Sequence, residues 1–401
     1  MYWKRLSFAE IKQTVNGAFE NNVKFGKSKV MGLPLSSMDP RVFQTDGIQE
    51  SPFLMAMIQN ANHGGCPTQG ISGDFFEGTE ELENEVISIC AEQLMHGKPG
   101  MHDGYIAAGG TECNIQAAWI YRNLFKRKYK ASSDEIALLH SEDTHYSLWK
   151  TANLLGVNQV VVEVNPKTRQ MEQNSLRTKI IQAKQKGIRY FILIANMGTT
   201  MYGSVDNLDL IISVLDEEEV FYKIHIDAAF GGFTYPFTNS ENNLNFSNKK
   251  VTSIGLDAHK MLQAPYGTGI FLIRKGYLSY LATTEPHFMA HKIHTLSGSR
   301  SGANAIAVWM ILKAFGSKGL QAKVKRVMQL KKQLCDELDA KQIEYFHNPY
   351  MNIVTIHHRH MSKEIQHHYG LVPDNHNNPT WWKVVLMDHV NESLIRDFLD
   401  Y

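Results

Sequence analysis

The chain has 401 residues, 43% hydrophobic and 20% charged, with 41 Lys and Arg against 40 Asp and Glu for a formal net charge of +1. That length allows one large domain, a smaller companion and a sizeable core. The balanced charge excludes a global pull toward nucleic acid or an anionic membrane surface. The opening MYWKRLSFAEIKQTV has no continuous apolar stretch of the kind a secretory signal needs. The longest apolar run, near YFILIANMG, is too short to span a bilayer, so the expected location is the cytoplasm. Cys66, Cys90, Cys113 and Cys335 are widely spaced with no CxxC pair, which argues against a disulfide framework or a zinc site.

After a short helical start, residues 1–50 are polar and irregular and read as an N-terminal arm. TEELENEVISICAEQLM spaces Leu82, Val86, Ile89 and Cys90 as the apolar stripe of a helix. TECNIQAAWIYRNLFKRKYK predicts a second helix, with Ile115, Ala118, Trp119 and Phe125 inward and a basic last turn suited to the helix dipole. Short apolar runs follow between helices: IALLH, VVVEV, YFILIAN, FYKIHI, TSIGL and GIFLIRK. Such alternation predicts an α/β fold whose mostly parallel sheet is covered on both faces. A long helix over 304–341, broken at Gly316, leads to a C-terminal part with strands NIVTIHH and TWWKVVLMD. The expected division is an arm (1–50), a large domain (51–305) and a small C-terminal domain (306–401).

Ligands of such sheets bind beyond the carboxyl ends of the strands, which would gather NMGTT, DAAF and DAHK at one rim. In AAGGTECN (107–114) two glycines and a threonine open a helix whose free N–H groups could cradle an anion, although Gly-Gly-Thr is also an ordinary helix entry. Lys260, in DAHK, falls between two buried strands. It reads either as a lysine reaching out of a loop or as a desolvated amine fit to form an imine. Asp227, in HIDAAFGGF, ends a buried strand among alanines, glycines and phenylalanines and needs a cation. A phosphate cradle, an imine-forming lysine and a buried carboxylate together suit pyridoxal 5′-phosphate (PLP). The missing cation is then the protonated pyridine nitrogen, and small Ala229 can lie flat against one ring face.

AAGGTECNIQAAWIYRN, SEDTHYSLWKTANLLG, ANMGTTMYGSVDNL, HIDAAFGGFTYPF, LDAHKM and LSGSRSGANA occur in the order seen in PLP-dependent group II decarboxylases. The chain resembles the archaeal-type tyrosine/aspartate decarboxylases and the short bacterial histidine decarboxylases, most strongly over about residues 50–310. The resemblance implies PLP-dependent transferase fold type I, aspartate aminotransferase-like, with a small C-terminal α+β domain, in a homodimer with shared active sites. It implies that Lys260 forms the imine with the cofactor, with His259 beside it near the phosphate. Asp227 would pair with the pyridinium, Ala229 lie under the ring and His145 stack on the other face. Gly110 and Thr111 would bind phosphate, and Thr200 would reach the ring 3′-oxygen. Gly298 and Ser299 would add phosphate contacts from the second subunit, and Arg300 would brace that loop or meet a carboxylate.

The implied reaction is α-decarboxylation of an L-amino acid to CO₂ and a primary amine. A retro-aldol lyase of the sphingosine-phosphate type and an aminotransferase share the fold, and a non-enzymatic α/β binding protein is a third class. His63, His102 and Arg300 would suit an acidic substrate, aspartate or glutamate, ahead of tyrosine or histidine. Relatives carry a tyrosine that protonates Cα, whereas this chain has Phe288 in TTEPHFMAHKIH. His287 or His291 then becomes the candidate acid, His287 first. Asp206, in SVDNL, reads as a helix N-cap. The histidines at 357, 358, 360, 367 and 368 follow no metal-ligand spacing, and no metal is expected.

Overall fold

The computed structural model describes residues 2–22, 51–70, 75–281 and 293–400. In chain order the strands are β1 (Asn62–Gly64), β2 (His102–Ala107), β3 (Ile136–Ser141), β4 (Asn158–Val162), β5 (Tyr190–Asn196), β6 (Phe221–Ala228) and β7 (Val251–Asp257). They continue with β8 (Gly269–Arg274), β9 (Ser299–Ser301), β10 (Tyr345–His347), β11 (Ile353–His357), β12 (Val372–Pro373) and β13 (Trp381–Val385). β3, β5 and β7 are buried at every position, as strands covered on both faces must be. Met1–Lys130 with Asn245–Gly319 forms one compact unit, and Ala131–Leu244 with Leu320–Tyr401 a second.

In the first unit β2, β8 and β7 pair in that order, both pairs antiparallel, and β1 pairs antiparallel with β9. β2 escaped the sequence reading because HDGYIA opens on two polar residues and a glycine, yet His102 and Asp103 are buried. β8 begins where only glycine fits: a Cβ on Gly269 would lie 2.6 Å from the Gly109 backbone. The helix Glu77–Ser88 runs into a π-helical turn, Ile89–Leu94, and buries the expected Leu82, Val86, Ile89 and Cys90. The helix Gly110–Tyr129 ends on Lys126, Arg127 and Lys128 as expected. Its inward face is corrected: Ala118 and Phe125 are buried, but Ile115 and Trp119 are only half-buried. The buried stripe is Cys113, Ala117, Ile120 and Leu124. At about 100° per residue, Ile115 points roughly 160° away from Ala117.

In the second unit β6, β5, β3 and β4 lie in that order, all three pairs parallel. β10, β11, β13 and β12 form a separate antiparallel sheet over a core that includes Leu334, Leu338, Val354, Ile356, Leu386 and Phe398. The helix Gly302–Ala340 contains the expected break, with Gly316 at φ 61°. Among the described residues no helix is long and apolar enough to cross a membrane, and no group of three or more His, Cys, Asp or Glu could hold a metal ion.

Candidate active site

Lys260 sits three residues beyond the end of β7, its Nζ 3.0 Å from Asp257 Oδ2. His259 Nε2 lies 3.6 Å from the same oxygen. The Asp257 side chain is 4% exposed and that of Lys260 33%, so the anion is sealed while the amine keeps access. Asp257 Oδ1 and His259 Nδ1 are buried with no hydrogen-bond partner among the described residues. Burial holds the His259 imidazole below its ordinary value against the pull of Asp257.

The glycine turn reaches this lysine turn. A Cβ on Gly109 would lie 3.7 Å from His259 Cε1 and 3.9 Å from Asp257 Oδ1. The helix that starts at Gly110 has no side-chain cap, so its first N–H groups remain for an anion. Glu112, in that first turn, does not fill the cradle. Its carboxylate turns back to accept the Ala108 N–H at 2.9 Å, the Tyr105 hydroxyl at 3.0 Å and the Ser297 hydroxyl at 3.4 Å. Uncapped N–H groups beside a primary amine are the donor set that a phosphorylated aldehyde such as PLP requires.

His63 and Arg300 converge on Glu83. Arg300 forks onto the Glu83 carboxylate and donates to the carbonyls of Ile106 at 3.0 Å and Gly65 at 2.7 Å. His63 Nδ1 is 2.6 Å from Glu83 Oε2, and its Nε2 is 2.9 Å from Thr79 Oγ1. Burial alone would raise the Glu83 carboxyl, but Arg300 and His63 hold it at about 2. Of the two roles implied for Arg300, bracing is the one its contacts fit. His102 stands opposite Arg274, whereas Ala107 faces Gly269. Five residues of strand, roughly 17 Å, part His102 from the cradle end of β2. Burial pushes it to about 4, and its ring packs 4.2 Å from that of Phe246. Gly298 and Ser299 are exposed.

In the second unit Asp227, one residue before the end of β6, stands opposite Asn196 of β5, is 9% exposed, and accepts the Ala229 N–H at 3.1 Å. Asn196 is the hub beside it. Its backbone N–H and Nδ2 both donate to Asp206 Oδ2, at 2.7 and 2.9 Å, and its Oδ1 accepts the Thr144 hydroxyl at 3.0 Å. The next residue, His145, places Nδ1 2.9 Å from Ser147 Oγ. On the other side of that turn, Arg169 grips Asp143 with two N–H groups and lies 4.0 Å over the Tyr202 ring. The N-cap expectation for Asp206 is corrected: Asn207 caps the helix Leu208–Glu217 by accepting the Leu210 N–H, because the Asp206 carboxylate faces inward to Asn196. Burial pushes Asp206 up to about 6. Thr200 is exposed, and its carbonyl accepts from Lys383 Nζ at 3.2 Å. His287, Phe288 and His291 lie outside the described residues.

The structure thus brings Lys260 and His259 to the Gly109–Thr111 turn, and Ala229 to Asp227. Sequence reasoning missed Asp257, Glu112, Glu83 and Asn196. Asp257 stands three residues before Lys260 and Glu112 directly after the Gly-Gly-Thr opening, and both positions were signals in plain view.

Residues 72–357 match the pyridoxal-dependent decarboxylase conserved domain. The chain is 42% identical over 402 residues to a tryptophan decarboxylase of Clostridium sporogenes, covering 99% of this chain and 96% of that one. It is 30% identical over 340 residues to an L-aspartate/L-glutamate decarboxylase of Pyrococcus horikoshii, covering 80% and 82%. Among solved structures, L-methionine decarboxylase from Streptomyces sp. 590 matches with a TM-score of 0.72 at 17% identity, over 94% of this chain and 97% of that one. A sphingosine-1-phosphate lyase of Burkholderia pseudomallei matches with a TM-score of 0.71, also at 17% identity, over 93% and 92%. At such identities the likeness concerns the fold, here that of fold type I.

Proposed function

The chain belongs to the pyridoxal-dependent decarboxylase family, a PLP-dependent carboxy-lyase acting on an amino acid, and from that premise we propose that its substrate is an aromatic L-amino acid, tryptophan first and tyrosine next. The observation that carries this reading is the 42% identity, over 99% of the chain, to a tryptophan decarboxylase. The fate of Arg300 and His63 supports it. Both are bound to Glu83, so neither offers a ready counter-charge to a substrate side-chain carboxylate, and the acidic preference expected from them loses its basis.

When bound, PLP supplies a protonated pyridine ring that accepts the electron pair left as CO₂ departs. In the proposed arrangement the N–H groups of Gly110 and Thr111 hold the phosphate, with His259 beside it. Lys260 would be the residue that holds the cofactor aldehyde, through its primary amine. The Asp227 carboxylate would keep the proton on the ring nitrogen by charge pairing. Ala229 and His145 would pack against the ring, and the Thr200 hydroxyl would hold the 3′-oxygen. His287 is the proposed acid that returns a proton to Cα. Gly298 and Ser299, both exposed, are proposed to complete the phosphate site of a second copy in a homodimer.

The test is to incubate the protein and PLP with each of the twenty amino acids and identify the amine by mass. Tryptamine should dominate, with tyramine behind. A product arising chiefly from aspartate or glutamate overturns the aromatic assignment.

A further inference from the structure

We infer that Glu83 and Glu112 form a double latch that ties the Gly110–Thr111 cradle to the segment Ser297–Arg300, so that filling the cradle with phosphate orders that segment. Both carboxylates are buried, Glu83 fully and Glu112 to 7% exposure. Each holds one N–H at the exit of β2: Glu83 takes that of Ile106 at 2.7 Å, and Glu112 that of Ala108 at 2.9 Å. Each also holds one side chain of the distant segment: Glu83 takes the Arg300 guanidinium, and Glu112 the Ser297 hydroxyl at 3.4 Å. The two N–H groups lie two residues apart, one on β2 and one just past its end, where the chain runs directly into the cradle, and the two side chains bracket Gly298 and Ser299. From outside, Asn62 fastens the same segment by accepting the Arg300 N–H at 3.2 Å and donating to Ser299 Oγ at 3.3 Å.

The physical step is short. A phosphate dianion drawn onto the first N–H groups of the helix pulls on the backbone at 108–110, where Ala108 is already held by Glu112. Because Glu112 bends backward to Ala108, Tyr105 and Ser297, its charge leaves the cradle open while coupling it to the segment. This inference rests on the assignment of the cradle to the cofactor phosphate.

Amide hydrogen exchange read by mass spectrometry tests it on the apoenzyme, alone, with PLP and with pyridoxal, which lacks the phosphate. PLP should slow exchange in peptides over 108–113 and over 297–301 by about two- to tenfold, the ratio that corresponds to one net hydrogen bond. Pyridoxal should protect neither. Glu112→Ala should keep protection at 108–113 and lower it at 297–301, while the Kd for PLP rises by a similar factor. Ser297→Ala spares the Tyr105 and Ala108 bonds, so it should fold even where Glu112→Ala does not, and it should lower the distal protection, the Glu83–Arg300 arm keeping the remainder. Unchanged protection of 297–301 in Ser297→Ala sinks the latch while leaving the cradle assignment standing. If PLP fails to protect 108–113 in the unaltered protein, the cradle assignment falls and the latch with it.

Discussion

Glu83 in the first unit and Asp206 in the second are both sealed from water, yet their carboxyls move in opposite directions, to about 2 and to about 6. Burial pushes each of them up. Glu83 meets a guanidinium and an imidazole, and the full charge of Arg300 overcomes the cost of burial. Asp206 meets only backbone N–H groups and the Asn196 amide, which recover part of that cost. The first unit carries the ion pairs Glu83–Arg300 and Asp257–Lys260. The second holds the His145 turn both through the uncharged Asn196–Thr144 hydrogen bond and through the Asp143–Arg169 ion pair.

The largest effect should come from breaking the ion pair that is also chemical. Lys260→Ala should abolish covalent attachment of the cofactor and lower turnover by several orders of magnitude, read by the visible absorbance of the loaded enzyme and by amine release. Lys260→Arg separates charge from chemistry: it restores a cation beside Asp257 but offers no amine that can lose its proton. It should recover thermal stability and no activity. Near-normal decarboxylation by Lys260→Ala would end the lysine assignment.

Asp227 should matter next, through charge alone. Asp227→Asn keeps a hydrogen bond but not the charge proposed to hold the ring proton. Activity should therefore fall far more than PLP affinity, measured by titrating the apoenzyme. Equal losses in both would point to a packing role.

Strands β3 to β8 were legible because they are continuous apolar runs, and Lys260 drew notice because it stands between two of them. The supports were not. Glu83 lies in TEELENEVISICAEQLM, where a glutamate between apolar positions reads as solvent-facing, and its partner Arg300 is 217 residues away. Asn196 ends a strand whose six other residues are apolar or aromatic, so nothing nearby announced that it would accept from Thr144 and donate to Asp206. Ile115 and Trp119 misled for the opposite reason. Their bulk suggested burial, whereas the smaller Cys113 and Ala117 occupy the inward stripe.

Glu83→Gln should destabilise by about 3–5 kcal/mol, because it strands the Arg300 cation in a site that is 6% exposed. The folded carboxyl lies below its unfolded value of 4.5, so Glu83 contributes stability above that pH and loses it as pH falls toward about 2. The gap in thermal midpoint between wild type and Glu83→Gln should thus hold from pH 5 to 8 and shrink on acidification. A gap that is small at pH 7 would remove the ion pair from the account of the first unit.

The smallest effect, and the sharpest contrast, belongs to Asp206→Asn. Here the folded value of about 6 stands above the unfolded 3.8, so the sign reverses. The favourable contribution is complete below pH 3.8 and is lost as pH rises through about 6. Above that the ionised carboxylate costs on the order of 3 kcal/mol relative to acid. Asparagine removes the titration at little geometric expense, since both Asn196 donors go to the same oxygen, which an amide oxygen can replace. The variant should forfeit about 1 kcal/mol where its amide NH₂ replaces the second carboxylate oxygen. Measured from pH 3.5 to 8, the thermal midpoint of Asp206→Asn should therefore start below that of wild type, gain on it between about pH 4 and 6, and hold its advantage above that. A difference that stays constant across this range would mean that Asp206 does not titrate there, and that Asn196 is held by a carboxylate already ionised at acid pH.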